Sequence, residues 1–393
     1  MTRRSIIGAD VRGRRVLCRV DFNVPIRDGQ IEDDTRIRSA LPTIEWLTAH
    51  GAKVILCSHL GRPKGKVIDD LRLGPVGGRL ADLTGKPVAS LTEITGAAVK
   101  AVVDGMAEGE VVLLENLRFD PREEANDPSL ARELAGLADL YVNDAFGAAH
   151  RAHASTEGVA HLLPAFAGLL MQAEIEALTK LLDAPEQPFV AIIGGAKVSD
   201  KMGVLKNLLP QVDALLIGGG MANTFLLAQG VAVGTSLVEP DLVDVASELI
   251  AAARDQGVEI GLPVDVVLAT SIDATAGDNA PIDAIPDDSA IFDIGPETAA
   301  EYASVIRNAR TILWNGPLGV AENPAFAAGT ATVASAVAKS GGYTVIGGGD
   351  SVAAIQQLGL ADRIDHISTG GGASLEFFEG KTLPGIAAIP EAQ

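Results

Sequence analysis

The chain has 393 residues, too many for one ordinary core, and two domains are expected. Its composition is globular, rich in Ala, Val, Leu and Gly, and no stretch of about 18 or more apolar residues occurs that would span a membrane. A formal net charge of -20 argues against non-specific binding to nucleic acid or to an anionic membrane.

Residues 1–72 run against that balance, with 14 Lys and Arg against 9 Asp and Glu, and so form a focus for a small anionic ligand. The opening MTRRSIIGADVRGRR carries charge but no apolar core, so no secretory signal is read and a cytoplasmic protein is expected. Cys18 and Cys57 lie in apolar runs without a CxxC pair, which points to buried, reduced thiols.

Strand-like runs alternate with helical patterns along the whole chain. The runs are continuous rather than alternating, as parallel strands buried on both faces require. The chain is therefore an α/β protein of βαβ units. VLCRVDFN (16–23) comes first, then the helical pattern 38–51, VILCSHLGR (54–62) and VVLLENLRF (111–119). A helix over 127–139 follows, with Asp127 as cap and Pro128 in its first turn, and then LYVNDAFGAAHR (140–151). Residues 168–183 carry leucines at helical spacing between Pro164 and the sequence APEQP, and predict a helix joining two sheet domains. The expected boundaries are 1–167, a hinge helix and linker over 168–188, and 189–377, with the tail from about 378 folding back over another part of the chain.

The loop chemistry changes after that boundary. In the first half, Arg36, Arg62, Arg118 and Arg151 lie in loops after four different runs, beside Asp21, Asn23 and His59. A guanidinium fork suits bidentate capture of carboxylate or phosphate, so this set reads as a clamp for a small molecule carrying both. In the second half the runs end in AIIGGAKVSDK (191–201), ALLIGGGMAN (214–223), TVIGGGDS (344–351) and HISTGGGAS (366–374). Glycine admits close backbone approach, and helix N-terminal amides bind phosphate. Lys197 and Lys201 are four apart, a spacing that puts both on one side of a helical turn. Asp350 would repel a phosphate unless a cation lay between them; Mg²⁺, held by one carboxylate plus phosphates, resolves that conflict. Glu322 is a candidate acceptor for ribose hydroxyls. GxxxxGK[ST] and GxGxxG are both missing, so the nucleotide site is of another type and a nicotinamide dehydrogenase is disfavoured. His150 and His153 form HxxH but lack a third ligand for zinc.

Taken in order, DFNVP (21–25), DDTRI (33–37), HLGRP (59–63), ENLRF (115–119), NDAFGAAHRAHAS (143–155), GGAKVSDK (194–201), IGGGMANTF (217–225), WNGP (314–317), GGGDS (347–351) and STGGGASLE (368–376) resemble the phosphoglycerate kinase family along essentially the whole chain. The resemblance implies two doubly wound parallel-sheet domains joined by a hinge helix, with the C-terminal tail returning to the first. It implies 3-phosphoglycerate held by Asp21, Phe22, Asn23, Arg36, His59, Leu60, Gly61, Arg62, Arg118 and Arg151. It implies ADP or ATP held by Lys201, Ile291, Glu322, Gly348, Gly349, Asp350 and Ser351, with Mg²⁺ at Asp350. Arg36, Lys197, Gly371 and Gly372 would stabilise the phosphoryl group passing between 1,3-bisphosphoglycerate and ADP. A monomer is expected. Ser351 stands where the family often has Thr, and Ile291 and Phe292 where it often has Gly and Leu, which alters the base pocket rather than the reaction. The competing reading is a two-domain anion-binding protein without catalysis.

Overall fold

The computed structural model describes residues 2–392. The chain divides into two compact units, Met1–Glu176 with Thr382–Gln393, and Ala177–Lys381. The division falls inside the helix Leu169–Asp183.

The first unit holds a six-stranded parallel sheet of β1 (Arg15–Arg19), β2 (Lys53–Cys57), β3 (Val88–Ser90), β4 (Val111–Leu113), β5 (Leu140–Asn143) and β6 (Ala165–Ala167). Its order is β3-β4-β2-β1-β5-β6. Successive residues of one strand enter different cores. Val16, Cys18, Val54 and Leu56 pack with Ile37, Ile44 and Leu80 on one face. Leu17, Ile55 and Cys57 pack with Val99, Val103, Leu130 and Leu134 on the other. That two-sided burial is why the strands read as unbroken apolar runs. It also buries both free thiols, on opposite faces of the sheet.

The second unit holds β7 (Phe189–Ile193), β8 (Ala214–Ile217), β9 (Glu259–Gly261), β10 (Asp265–Ala269), β11 (Asp278–Pro281), β12 (Ala290–Ile294), β13 (Thr311–Asn315), β14 (Tyr343–Gly347) and β15 (His366–Ile367). Six of them form a parallel sheet in the order β9-β8-β7-β13-β14-β15. The remaining three, β11-β10-β12, form an antiparallel sheet that the sequence patterns did not suggest. The strand order reverses between β1 and β5 in the first unit and between β7 and β13 in the second. Ligands of open α/β sheets bind outside the strand ends at such reversals.

Local signals match local structure. Asp127 Oδ1 caps the helix Pro128–Ala135 by accepting from Ser129 N at 2.7 Å. Gly257 ends the helix Val243–Gln256 in the left-handed conformation. The tail residues are tied to the first unit: Gly385 N donates to Ala149 O at 2.8 Å and Asn143 Nδ2 to Gly385 O at 3.1 Å.

The helix Leu169–Asp183 starts on two buried groups of the first unit. Leu169 N donates to Thr43 Oγ1 at 2.9 Å, and Leu170 N and Met171 N to Asp144 Oδ1 at 3.0 and 3.2 Å. Burial pushes the Asp144 carboxyl up to about 7, against the pull of these donors. Folded, Asp144 keeps its proton up to that pH; unfolded, it loses it near pH ~4. Its contribution to stability is therefore lost as pH rises from about 4 through 7. Denaturant unfolding at several pH values should show Asp144→Asn gaining stability relative to the parent protein across that window. A pH-independent difference would contradict the assignment.

Candidate functional site

In the first unit the loops after β1, β2, β4 and β5 converge. Arg36, from the first turn of the helix Thr35–Ala49, donates through Nη1 to Asp21 Oδ2 at 2.7 Å. Burial works against the Asp21 carboxylate; the guanidiniums of Arg36 and Arg19 and the Asn23 amide hold it below the usual range. Asn23 Oδ1 accepts from Gly61 N at 2.8 Å, and Arg118 Nη1 donates to Gly61 O at 2.7 Å, so one loop residue links the other two. Phe22 and Leu60 are buried; Phe22 N donates to Ser58 Oγ at 2.8 Å and Leu60 N to Asn116 Oδ1 at 3.1 Å. Arg118 is only 4% exposed, forms an ion pair with Glu124 at 3.2 Å without hydrogen-bond alignment, and feels Arg151 and Arg19 nearby. Arg151 Nε donates to His150 Nε2 at 3.1 Å. Arg62 is exposed, with no hydrogen bond or ion pair among the described residues.

His59 is buried. Burial pushes its ring well below the ordinary histidine range; Asp21 opposes, while Arg19, Arg118 and Arg151 push the same way as burial. The cluster thus holds several guanidiniums around a neutral imidazole, an arrangement that suits a small anion. Sequence reasoning passed over Arg19, Asn116, Glu123 and Ser155. Arg19 had a signal, being a charged residue between the apolar stretch 16–18 and Val20. Asn116 joins Leu60, Leu71 and Arg118 through four hydrogen bonds, which no local pattern announces.

In the second unit the glycine loops prove to be of two kinds. A Cβ on Gly194 would lie 2.1 Å from Pro317 O, and one on Gly316 (φ +99°) would lie 2.2 Å from Gly194 O. A Cβ on Gly219 would meet Gly195 O at 2.7 Å. These glycines let three loops pack backbone against backbone at the strand-order reversal. Gly349 and Gly371 face open space instead, and Gly348 has only Asn315 at ordinary contact distance. Gly348 and Gly349 begin the helix Gly349–Gln357, and Gly371 and Gly372 begin the helix Gly372–Phe378.

Lys197 and Lys201 do not share a helical turn, because the helix begins only at Met202. Lys197 lies exposed in the preceding loop. Lys201 is half-buried and donates through Nζ to Asn315 Oδ1. Burial lowers its ammonium, with Asp200, Asp350 and Glu379 opposing. Asn315 is fully buried, and its Nδ2 has no partner among the described residues. A Cβ on Gly347 would lie 3.1 Å and one on Gly348 3.5 Å from that nitrogen, so the unpaired donor lies against the glycines that lead into the helix Gly349–Gln357. Ser351 is buried, and its hydroxyl accepts from Gly316 N at 2.7 Å, pinning two loops together. Asp350 and Glu322 are exposed and make no ion pair or hydrogen bond among the described residues. Ile291 is 9% exposed and packs with Leu226, Val233, Val266 and Leu268, which leaves the half-buried Phe292, 5.0 Å from Phe326 between ring centres, as the more open of the two.

Comparison with known proteins places the chain in one family. The sequence model of phosphoglycerate kinase matches residues 6–381. The chain is 59% identical over 392 residues to the phosphoglycerate kinase of Moorella thermoacetica, covering 100% of each. It is 58% identical over 395 residues to that of Roseiflexus sp., again covering 100% of each. Among solved structures it is similar to phosphoglycerate kinase from Coxiella burnetii, with a TM-score of 0.89, 42% identity and 98% of each chain covered. Phosphoglycerate kinase from Pyrococcus horikoshii gives 0.86 at 35% identity, also over 98% of each chain.

The division of the glycines is testable. Gly194→Ala should cost about 3 kcal/mol or more, since backbone rather than a movable side chain fills the space. Gly349→Ala has open space and an ordinary φ, and should leave the unfolding midpoint unchanged while weakening ligand binding. Equal midpoints for both variants would erase the distinction.

Proposed function

Because the chain belongs to the phosphoglycerate kinase family, whose reaction is the reversible transfer of the acyl phosphate of 1,3-bisphosphoglycerate to ADP, giving ATP and 3-phosphoglycerate in glycolysis, we propose that its two loop clusters divide that reaction between them. The first unit, with Asp21, Phe22, Asn23, Arg36, His59, Leu60, Gly61, Arg62, Arg118 and Arg151, binds the phosphoglycerate. The second, with Lys201, Ile291, Glu322, Gly348, Gly349, Asp350 and Ser351, binds the nucleotide. The observation that supports this most directly is the contrast in donors. The first cluster offers guanidiniums around a neutral imidazole, and the second offers open backbone glycines, a lysine and an unpaired buried amide.

The arginines and His59 neutralise and orient the phosphate and carboxylate of the three-carbon acid. Lys201 and Asn315 present an ammonium and an N–H to the nucleotide phosphates, and Gly348 and Gly349 let those phosphates approach the helix start. Asp350 stands unpaired at that start, and the described residues contain no cluster of three metal-ligating side chains. This fits a hard cation held mainly by phosphates and water rather than a resident protein site. Mg²⁺ bound there would supply charge neutralisation on the nucleotide phosphates.

The acceptor in either direction is already an anion, carboxylate or phosphate, so no residue has to remove a proton. Catalysis is alignment together with charge stabilisation of the transferred group. Arg36, Lys197 and the amides of Gly371 and Gly372 supply the stabilisation. In-line transfer requires donor and acceptor within bonding reach, so closure about the segment 168–188 is part of the proposal. So are a monomeric state and a cytoplasmic location; no helix among the described residues is long and apolar enough to cross a membrane.

ATP formation from 1,3-bisphosphoglycerate and MgADP tests the whole reading; binding of both ligands without turnover would favour an anion-binding protein instead. Arg36→Met should lower turnover about a hundredfold or more, as loss of a transition-state donor does, with ADP affinity nearly unchanged. It also strips buried Asp21 of its partner, so the variant's melting must be recorded beside its kinetics. Near-normal turnover in a folded variant would remove Arg36 from the transfer step.

A further inference from the structure

A line of buried polar groups runs beneath the arginine cluster, from Glu123 to His59. Glu123 is 0% exposed. Its Oε1 accepts from Ser155 Oγ at 2.5 Å and its Oε2 from Ser155 N at 3.0 Å. Two oxygens that both accept are the pattern of a carboxylate. Burial raises this carboxyl, and Arg19, Ser155 and Arg118 oppose the rise. His153 Nδ1 lies 3.8 Å away, but burial brings that ring down to about 4, so it is neutral beside Glu123 near pH 7.

The Ser155 proton is directed at Glu123, so its oxygen is left to accept, and Arg19 Nε donates to it at 2.8 Å. Arg19 is 1% exposed and is fixed further by Nη1 donating to Val20 O. Its Nη2 lies 3.1 Å from His59 Nδ1. A guanidinium has donors and no acceptor, so Nδ1 must be the acceptor and the ring proton must sit on Nε2. Asp21, Arg19, Arg118 and Arg151 are the charged groups facing the ring.

We propose that Glu123, Ser155 and Arg19 are positioning residues that lock His59 in its neutral Nε2–H form, so that the ring presents one fixed hydrogen-bond donor to the phosphoglycerate. The proposal rests on the assignment of His59 to that ligand. A relay of this kind is useful where several cations already crowd the site. It supplies a directional donor without adding another buried charge, and it stops the ring from turning its bare nitrogen toward an anion. Lysine could not replace Arg19, because one ammonium cannot reach the Ser155 oxygen and the His59 nitrogen with the geometry of a planar fork.

Two-bond ¹H–¹⁵N spectra of the histidine rings in the full-length, ligand-free protein report the tautomer, and the loss of one pattern in His59→Gln assigns it. The wild-type ring should show the neutral Nε2–H pattern at pH 7. In Ser155→Ala and Arg19→Lys it should become a tautomer mixture. KM for 3-phosphoglycerate should then rise about tenfold while kcat stays within about twofold, as expected for loss of one oriented donor. An Nδ1–H or doubly protonated ring in the wild type overturns the proposal, and that result needs no variant to fold. An unchanged pattern in folded Ser155→Ala overturns it as well. If His59→Gln binds 3-phosphoglycerate as tightly as wild type, the ligand assignment fails, and with it the relay's purpose, even where the tautomer is as expected.

Discussion

Both parallel sheets are hydrogen-bonded along their strands and packed on both faces, and this constraint governs where chemistry can occur. Residue after residue in β1 and β2 belongs to one core or the other. No lateral surface is left for a ligand, so polar function collects at the carboxyl ends of the strands. The reversal of strand order then decides which ends open onto one another: β1 with β5 in the first unit, β7 with β13 in the second. Arg19 closes β1, and Asn315 closes β13. Both are essentially inaccessible, and both reach a neighbouring loop from there.

Burying polar groups at those ends is costly unless each finds a partner. The two units meet that requirement differently. In the first, Arg19 is satisfied by Ser155, Val20 and His59, each of which accepts from its guanidinium. In the second, backbone does the packing: Gly194, Gly219 and Gly316 remove the side chains that would keep three loops apart. Ser351 and Lys201 then tie that assembly to the loops that follow β14 and β7. Among the described residues of that unit, Asn315 Nδ2 is a buried nitrogen left without a partner, and it lies against Gly347 and Gly348. A ligand oxygen there would complete the hydrogen bonding that the protein itself leaves unfinished.

Much of this was legible in the sequence because it is local. An apolar run ending in DFN or GGGD states both a strand and the loop that leaves it, so the α/β class and the loops of the candidate site could be read directly. What escaped depends on partners distant along the chain. Glu123, Ser155 and Arg19 form one chain of hydrogen bonds although 136 residues separate the last two. Gly194 and Gly349 look alike in sequence, and only the fold reveals that Pro317 fills the space beside one and nothing fills the space beside the other. Lys197 and Lys201 have helical spacing, yet the turn that ends with Lys201 N donating to Val198 O starts the helix too late to include both. The antiparallel β11-β10-β12 sheet was missed because β11 (DNAP) is exposed, short and carries no apolar run.

The end of β5 shows how tightly one strand terminus can be committed. Asn143 Oδ1 accepts from Ala145 N at 3.1 Å, while its Nδ2 donates to Gly385 O in the tail at 3.1 Å. The next residue, Asp144, holds the first amides of the helix Leu169–Asp183. A few residues on, Ala149 O accepts from Gly385 N at 2.8 Å, just before His150 and Arg151 enter the arginine cluster. The tail segment is therefore bonded on both sides of the turn that delivers Arg151, and the helix that crosses the unit boundary starts from the same turn. Displacing the Arg151 turn would strain the Gly385 bonds to Asn143 and Ala149 or the helix-start bonds to Asp144, the residue that follows β5. The start of the helix Leu169–Asp183 and the turn that delivers Arg151 thus share the adjacent buried residues Asn143 and Asp144, and burial raises the Asp144 carboxyl to about 7.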